Sequence, residues 1–146
     1  MSRLPELEEP RVLALLVCDQ VIVDRDTGKH SLIGLFEMIN VRTFPTNARP
    51  SFIYACVAGG HSNEITYFLR LEAPDGEVLV EASLDVDEWG PTGIFQFEVK
   101  LPGVLLSSPG EYPVRLYVEG RVLSERKLFV QKLPESPEEQ DDSPKL

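Results

Sequence analysis

Between residues 109 and 130 the chain reads PGEYPVRLYVEGRVLSERKLFV, and this stretch restricts the possible folds more than any other. A Pro-Gly pair opens it. Tyr112, Val114, Leu116 and Val118 then alternate with other residues, and Glu119-Gly120 makes a turn before a second extended run. Successive side chains of a strand point to opposite faces, so apolar residues at a period of 2 between turn signals predict a hairpin lying on a core.

The same grammar recurs upstream. Residues 12–23 are apolar except at Cys18, Asp19 and Gln20, and residues 31–41 form a second apolar run. The segment DRDTGK between them reads as a hairpin turn with its tip at Asp26-Thr27-Gly28, where Gly28 supplies a positive φ. Gly34 in the returning strand predicts a bulge or the close approach of a neighbouring side chain. Ile65, Tyr67, Leu69 and Leu71 share one face of a later strand, and Ala73-Pro74-Asp75-Gly76-Glu77 turns it. The return strand places Val78, Val80, Ala82, Leu84 and Val86 inward, and Phe95, Phe97, Val99 and Leu101 mark another half-buried strand. Pro45 and Pro50 make residues 44–50 a connection. Residues 101–108 read as a loop with one helical turn that packs Leu105 and Leu106 on the core.

About seven or eight short strands joined mostly by tight turns predict an all-β fold, a two-layer antiparallel β-sandwich of immunoglobulin-like type. A closed barrel is the alternative, since it buries one face of each strand equally well. The expected organisation is a flexible leader at 1–10, a sandwich domain at 11–133 and an acidic, disordered tail at 134–146. Residues 12–17 and 52–58 are apolar on both faces. Their outer faces are expected either under a loop or small helix, or against a partner.

Net charge excludes some functions. The chain carries −10 in total, and five carboxylates against Lys145 put a net −4 of this in residues 135–146, leaving −6 on the rest. Such a surface repels nucleic acid, and no basic cluster interleaved with aromatics counters it. The longest apolar run is too short to cross a bilayer, and MSRLPELEEPR lacks the basic start and apolar core of an export signal. The expectation is a cytoplasmic protein with no nucleic-acid or membrane partner. Cys18 and Cys56 are then expected as reduced thiols, since neither belongs to a closely spaced metal-binding pair.

Candidate chemistry is thin. Asp19, Asp24, Asp26 and Glu37 come nearest to a cation site, but no loop-closing Glu stands where a calcium loop needs one, and a solvated turn accounts for them. Asp85, Asp87 and Glu88 precede Trp89, the sole tryptophan. An indole packed on the core edge and a binding contact are both open there, and nothing indicates the cleft that paired-carboxylate hydrolysis requires. His61 beside Ser62 lacks an oriented acid, and Gly59-Gly60 lacks the pattern that cradles phosphate. The chain is therefore not expected to be an enzyme or to carry a cofactor. The possible ligand or partner contacts are Trp89, His61, Asp87 and Glu88.

Cys18-Asp19, the segment from Leu32 to Phe36, and Phe44-Pro45 resemble marks of a family of small uncharacterised bacterial β-sandwich proteins. The closing hairpin is similar to that of many immunoglobulin-like sandwiches. The resemblance implies the fold and brings no activity. Two functions follow as expectations: a structural or protein-interaction module, with self-association as one form of it, or a sugar- or peptide-binding module that uses the loops around Trp89 and His61.

Overall fold

The computed structural model describes residues 10–59, 64–87 and 90–134. Its strands run in the order β1 (Arg11–Val23), β2 (His30–Leu35), β3 (Met38–Val41), β4 (Thr46–Asn47), β5 (Ser51–Ala58) and β6 (Ile65–Glu72). They continue as β7 (Val78–Val86), β8 (Ile94–Leu101), β9 (Leu105–Leu106), β10 (Gly110–Val118) and β11 (Arg121–Lys132). One sheet has the order β2-β1-β5-β8, the other β3-β11-β10-β6-β7, and β4 with β9 forms a two-residue ribbon. Every pairing is antiparallel except β3 with β11. This is the expected two-layer immunoglobulin-like sandwich. The described residues contain no helix long and apolar enough to cross a membrane.

The alternation read from the sequence is what builds the core. Tyr112, Val114, Leu116 and Val118 are all 0–1% exposed on β10, and on β6 Tyr67, Leu69 and Leu71 are buried on one face. These rows meet Leu15, Val17, Ile53, Ala55 and Val57 from the facing sheet. Tyr67 and Phe97 cross the interface with ring centroids 6.1 Å apart, within the range of a favourable aromatic pair. The turn between β10 and β11 has positive φ at both Glu119 and Gly120, the backbone a two-residue hairpin requires. Tyr112 donates its hydroxyl to the Ser108 carbonyl at 2.5 Å, fixing the corner that leads into β10. A tyrosine bonded a few residues upstream in this way is a hallmark of immunoglobulin-like sandwiches.

The opposite face of this sheet is a ladder of charges. Arg70 bonds Glu81, while Arg115 bonds both Glu125 and Glu72. The Arg70 guanidinium also lies 4.9 Å from the centre of the Tyr117 ring. The polar residues that alternate with the core row thus satisfy one another in solvent.

Four segments depart from the sequence expectation. The run from Ser31 to Val41 is two strands in different sheets. The Phe36 N–H still bonds the Val17 carbonyl, while the Glu37 carbonyl already accepts from the Phe129 N–H of the other sheet. Apolar periodicity cannot reveal such a switch, because it does not show which distant strand a segment will pair with. Residues 101–108 hold no helical turn: Leu105 and Leu106 are extended in β9, so their side chains diverge, Leu106 being buried and Leu105 52% exposed. The connection at 44–50 includes β4, which pairs with β9. On β7 only Val86 is buried, and Val78 is exposed, because the strand lies at the sheet edge.

The outer apolar face of β1 and β5 is covered by the chain itself. Tyr54 pairs with Leu16 and His30 with Val23, seven positions apart, or roughly 23 Å along an extended strand. Yet the His30 and Tyr54 rings lie 5.6 Å apart, and His30 Nε2 is 3.3 Å from Glu98 on β8. The distal half of the β1–β2 hairpin therefore folds back across its own sheet as an arm. Gly34 accommodates this bend. Its φ is +76°, and a Cβ there would strike the Asp19 carboxylate and lie 3.0 Å from the Asp19 Cβ. Cys18 and Cys56 are free thiols on this face, four register positions apart. That is roughly 13 Å along the strands and well beyond disulfide reach.

Replacing Gly34 with alanine is expected to destabilise the fold by about 1–3 kcal/mol, the cost of a left-handed backbone at a residue with a side chain. Urea denaturation checks this. A stability equal to that of the parent chain would show that the arm bends elsewhere.

Candidate functional site

Of the residues nominated by sequence, Trp89, Glu88 and His61 lie outside the described residues. Asp87 is exposed just past Val86, which pairs with Ile65 at the start of β6. Asp24 has a structural task. Its Oδ1 accepts from the Asp26 and Thr27 N–H groups, both at 2.8 Å, and these bonds hold its carboxyl below the usual range. It shapes the hairpin tip. No three His, Cys, Asp or Glu side chains converge on a metal position among the described residues.

Two other places gather polar groups. The first lies under the arm. The Tyr54 hydroxyl donates to Gln96 Oε1, and burial, with Cys56 and Glu98 nearby, pushes the phenol up to about 12. His30 contributes Nε2 to Glu98, and its Nδ1 is buried without a hydrogen bond. A phenol held protonated in this way cannot draw a proton from a neighbouring nucleophile near neutral pH. The arrangement fastens the arm to the sheet.

The second is a cavity of about 530 Å³ between the sheets, at the end where the chain crosses from β2 to β3. It lies at the opposite end of β6 from Asp87, beside Leu71. Phe36, Ile39, Val104, Leu106, Tyr112 and Leu128 line it with apolar surface. The β4–β9 ribbon closes it on one side, and the Ala48 N–H bonds the Val104 carbonyl at 2.8 Å. Tight packing there leaves Gly103 no room for a side chain, since a Cβ would come within 2.9 Å of the Ala48 carbonyl oxygen.

Polar groups gather on the same cavity: Asp19, Arg42, Thr43, Asn47, Arg49 and Ser51. Ser51, at 6% exposure, is the buried polar residue of the described core. A concave apolar site with a few polar groups around it is the usual form of a small-molecule pocket, and its volume falls in the range such pockets occupy. Sequence reading missed this site because its wall is assembled from ten strands. The one local signal was the proline-bracketed segment FPTNARP, which carries a cation and an amide where an ordinary connection needs neither.

The family described as "Family of unknown function (DUF6941)" matches residues 13–131. No curated protein matches the chain. Among solved structures, the C-terminal domain of wzt is similar at 11% identity and a TM-score of 0.47, over 86% of this chain and 75% of that one. An immunoglobulin-like protein from Pseudomonas aeruginosa is similar at 13% identity and a TM-score of 0.44, over 85% and 98% of the two chains. A CARDB domain from Pyrococcus furiosus, solved in complex with di-metal ions, is similar at 11% identity and a TM-score of 0.40, over 81% and 88%. No chemical property passes from them to this chain.

The buried phenols give a pH signature. Burial also pushes Tyr67 up to about 12 from its ordinary value of 10.0. A folded phenol that keeps its proton while the unfolded one releases it stabilises the fold below pH 10.0, and that contribution is lost as pH rises toward about 12. Denaturation midpoints are therefore expected to fall across this window, and Tyr67→Phe should flatten part of the slope. A flat profile in the parent chain would contradict the buried phenols.

Proposed function

The chain belongs to the family of unknown function DUF6941, and we propose that it is a non-catalytic binding module whose ligand enters the cavity between β3, the β4–β9 ribbon and the sandwich core. The observation that carries this reading is the cavity itself. Its walls are mainly apolar, and polar side chains open onto the same space at one end of the sandwich. The cluster that most resembles reactive chemistry, around Tyr54, is committed to holding the arm in place. Binding without bond-making fits both places.

A second reading keeps a protein partner or a second copy of the chain. What favours it is the outer side of the arm, where Ile22 of β1 and Ile33 of the sheet-edge strand β2 are each 45% exposed and Leu35 of β2 is 58% exposed. An unpaired edge with apolar side chains is a ready surface for strand addition. Light scattering from a strictly monomeric chain would remove the self-associating form of this reading.

The cavity reading is tested by filling it. Ala48 lines the cavity and its own backbone amide is already bonded, so Ala48→Trp adds bulk without removing a hydrogen bond. The parent chain is expected to bind the neutral fluorophore Nile red with enhanced emission. The variant, folded by far-ultraviolet circular dichroism, is expected to lose about tenfold or more in affinity, about 1.4 kcal/mol. Equal binding by both, or none by the parent, would refute the site.

A further inference from the structure

Within a chain of net charge −10, the cavity carries an unusual balance: two arginines, Arg42 and Arg49, against a single acid, Asp19. Arg70 and Arg115, on the outer face of the larger sheet, are each held by carboxylates. Arg42 and Arg49 make no ion pair and no side-chain hydrogen bond among the described residues. The same holds for the side-chain donors of Asn47 and Ser51 on the same cavity. The donors are gathered, and no carboxylate of the described residues bonds them.

We propose that the cavity takes an anionic amphiphile, its apolar chain lying between the sheets and its anionic head held by Arg42 and Arg49. This rests on the cavity being the binding site and adds the chemical class of the occupant. The guanidinium fork presents parallel N–H donors that match a carboxylate or a phosphate, and such charge-assisted bonds are stronger than neutral ones. The apolar wall supplies the complementary half. Phe36, Ile39, Val104 and Leu106 offer a chain only dispersion and release from water, which a neutral polar ligand such as a sugar would not use. Arg42 and Arg49 come from opposite sides of the β4 segment, Arg42 just after β3 and Arg49 just before β5. The connection that closes the cavity therefore also brings its cations.

Three probes with the same apolar chain and different heads separate the possibilities: decanoate, decyl phosphate and decanol, measured by calorimetry on the full chain. At least one of the two anions is expected to bind about tenfold or more tightly than decanol, as one charge-assisted hydrogen bond would produce. The anion preferred identifies the head group as carboxylate or phosphate. The double variant Arg42→Gln/Arg49→Gln is expected to bring that anion to the level of decanol and leave decanol unchanged. The preference should also shrink as salt rises, because the arginines are exposed. Equal binding of all three probes by the parent chain, or a preference that survives the double variant, would overturn the anionic occupant. If Ala48→Trp still abolished decanol binding, the cavity reading would stand. Failure of all three probes and of Nile red would remove both.

Discussion

The fold depends on the apolar row along β10. Tyr112, Val114, Leu116 and Val118 are closed to solvent, and each faces side chains from the other sheet. A fully buried side chain of this size contributes about 1.5–3 kcal/mol. The strand lies between β11 and β6 in its sheet, so losing this row would unseat its neighbours as well. The charge ladder on the outer side exists because the inner row takes every second position. Polar residues between core residues must point to water, and Arg70, Arg115 and their glutamates meet there.

A sandwich with two layers must carry its chain between them, and the crossing near Phe36 and Glu37 shapes the rest of the molecule. It leaves the β1–β2 hairpin on one side as an arm that folds over its own sheet. On the other side β3 is laid beside β11, the single parallel pairing among the described residues. Where the crossing leaves the core, the sheets are bridged by a ribbon of only two residues per strand. That ribbon places one buried leucine, Leu106, over the gap, and the cavity is the space it does not fill. The binding proposal is thus a consequence of how the layers are connected.

The arm also accounts for apolar residues on both faces of β1 and β5. A strand covered on both sides reads the same whether its cover is a loop, a helix or a partner. Here the cover is another part of the same strand pair, bent at Gly34 with the Asp19 carboxylate against it. Sequence marked Gly34 as either a bulge or the close approach of a neighbouring side chain. It held no sign of the direction in which the hairpin would bend.

The sequence by itself determined which residues face inward along β6, β8 and β10, where the hairpin tips at Gly28, Gly76 and Gly120 fall, and that the result would be layered sheets. Those properties are local: side-chain direction alternates residue by residue, and a left-handed turn needs particular residues. Only the tertiary structure decided that residues 31–41 split between sheets, that Leu105 turns outward while Leu106 does not, and that Arg42 and Arg49 stand at one cavity. These depend on which distant strands become neighbours. Alternation cannot encode that choice, because a side chain facing the core reads the same whichever sheet supplies it.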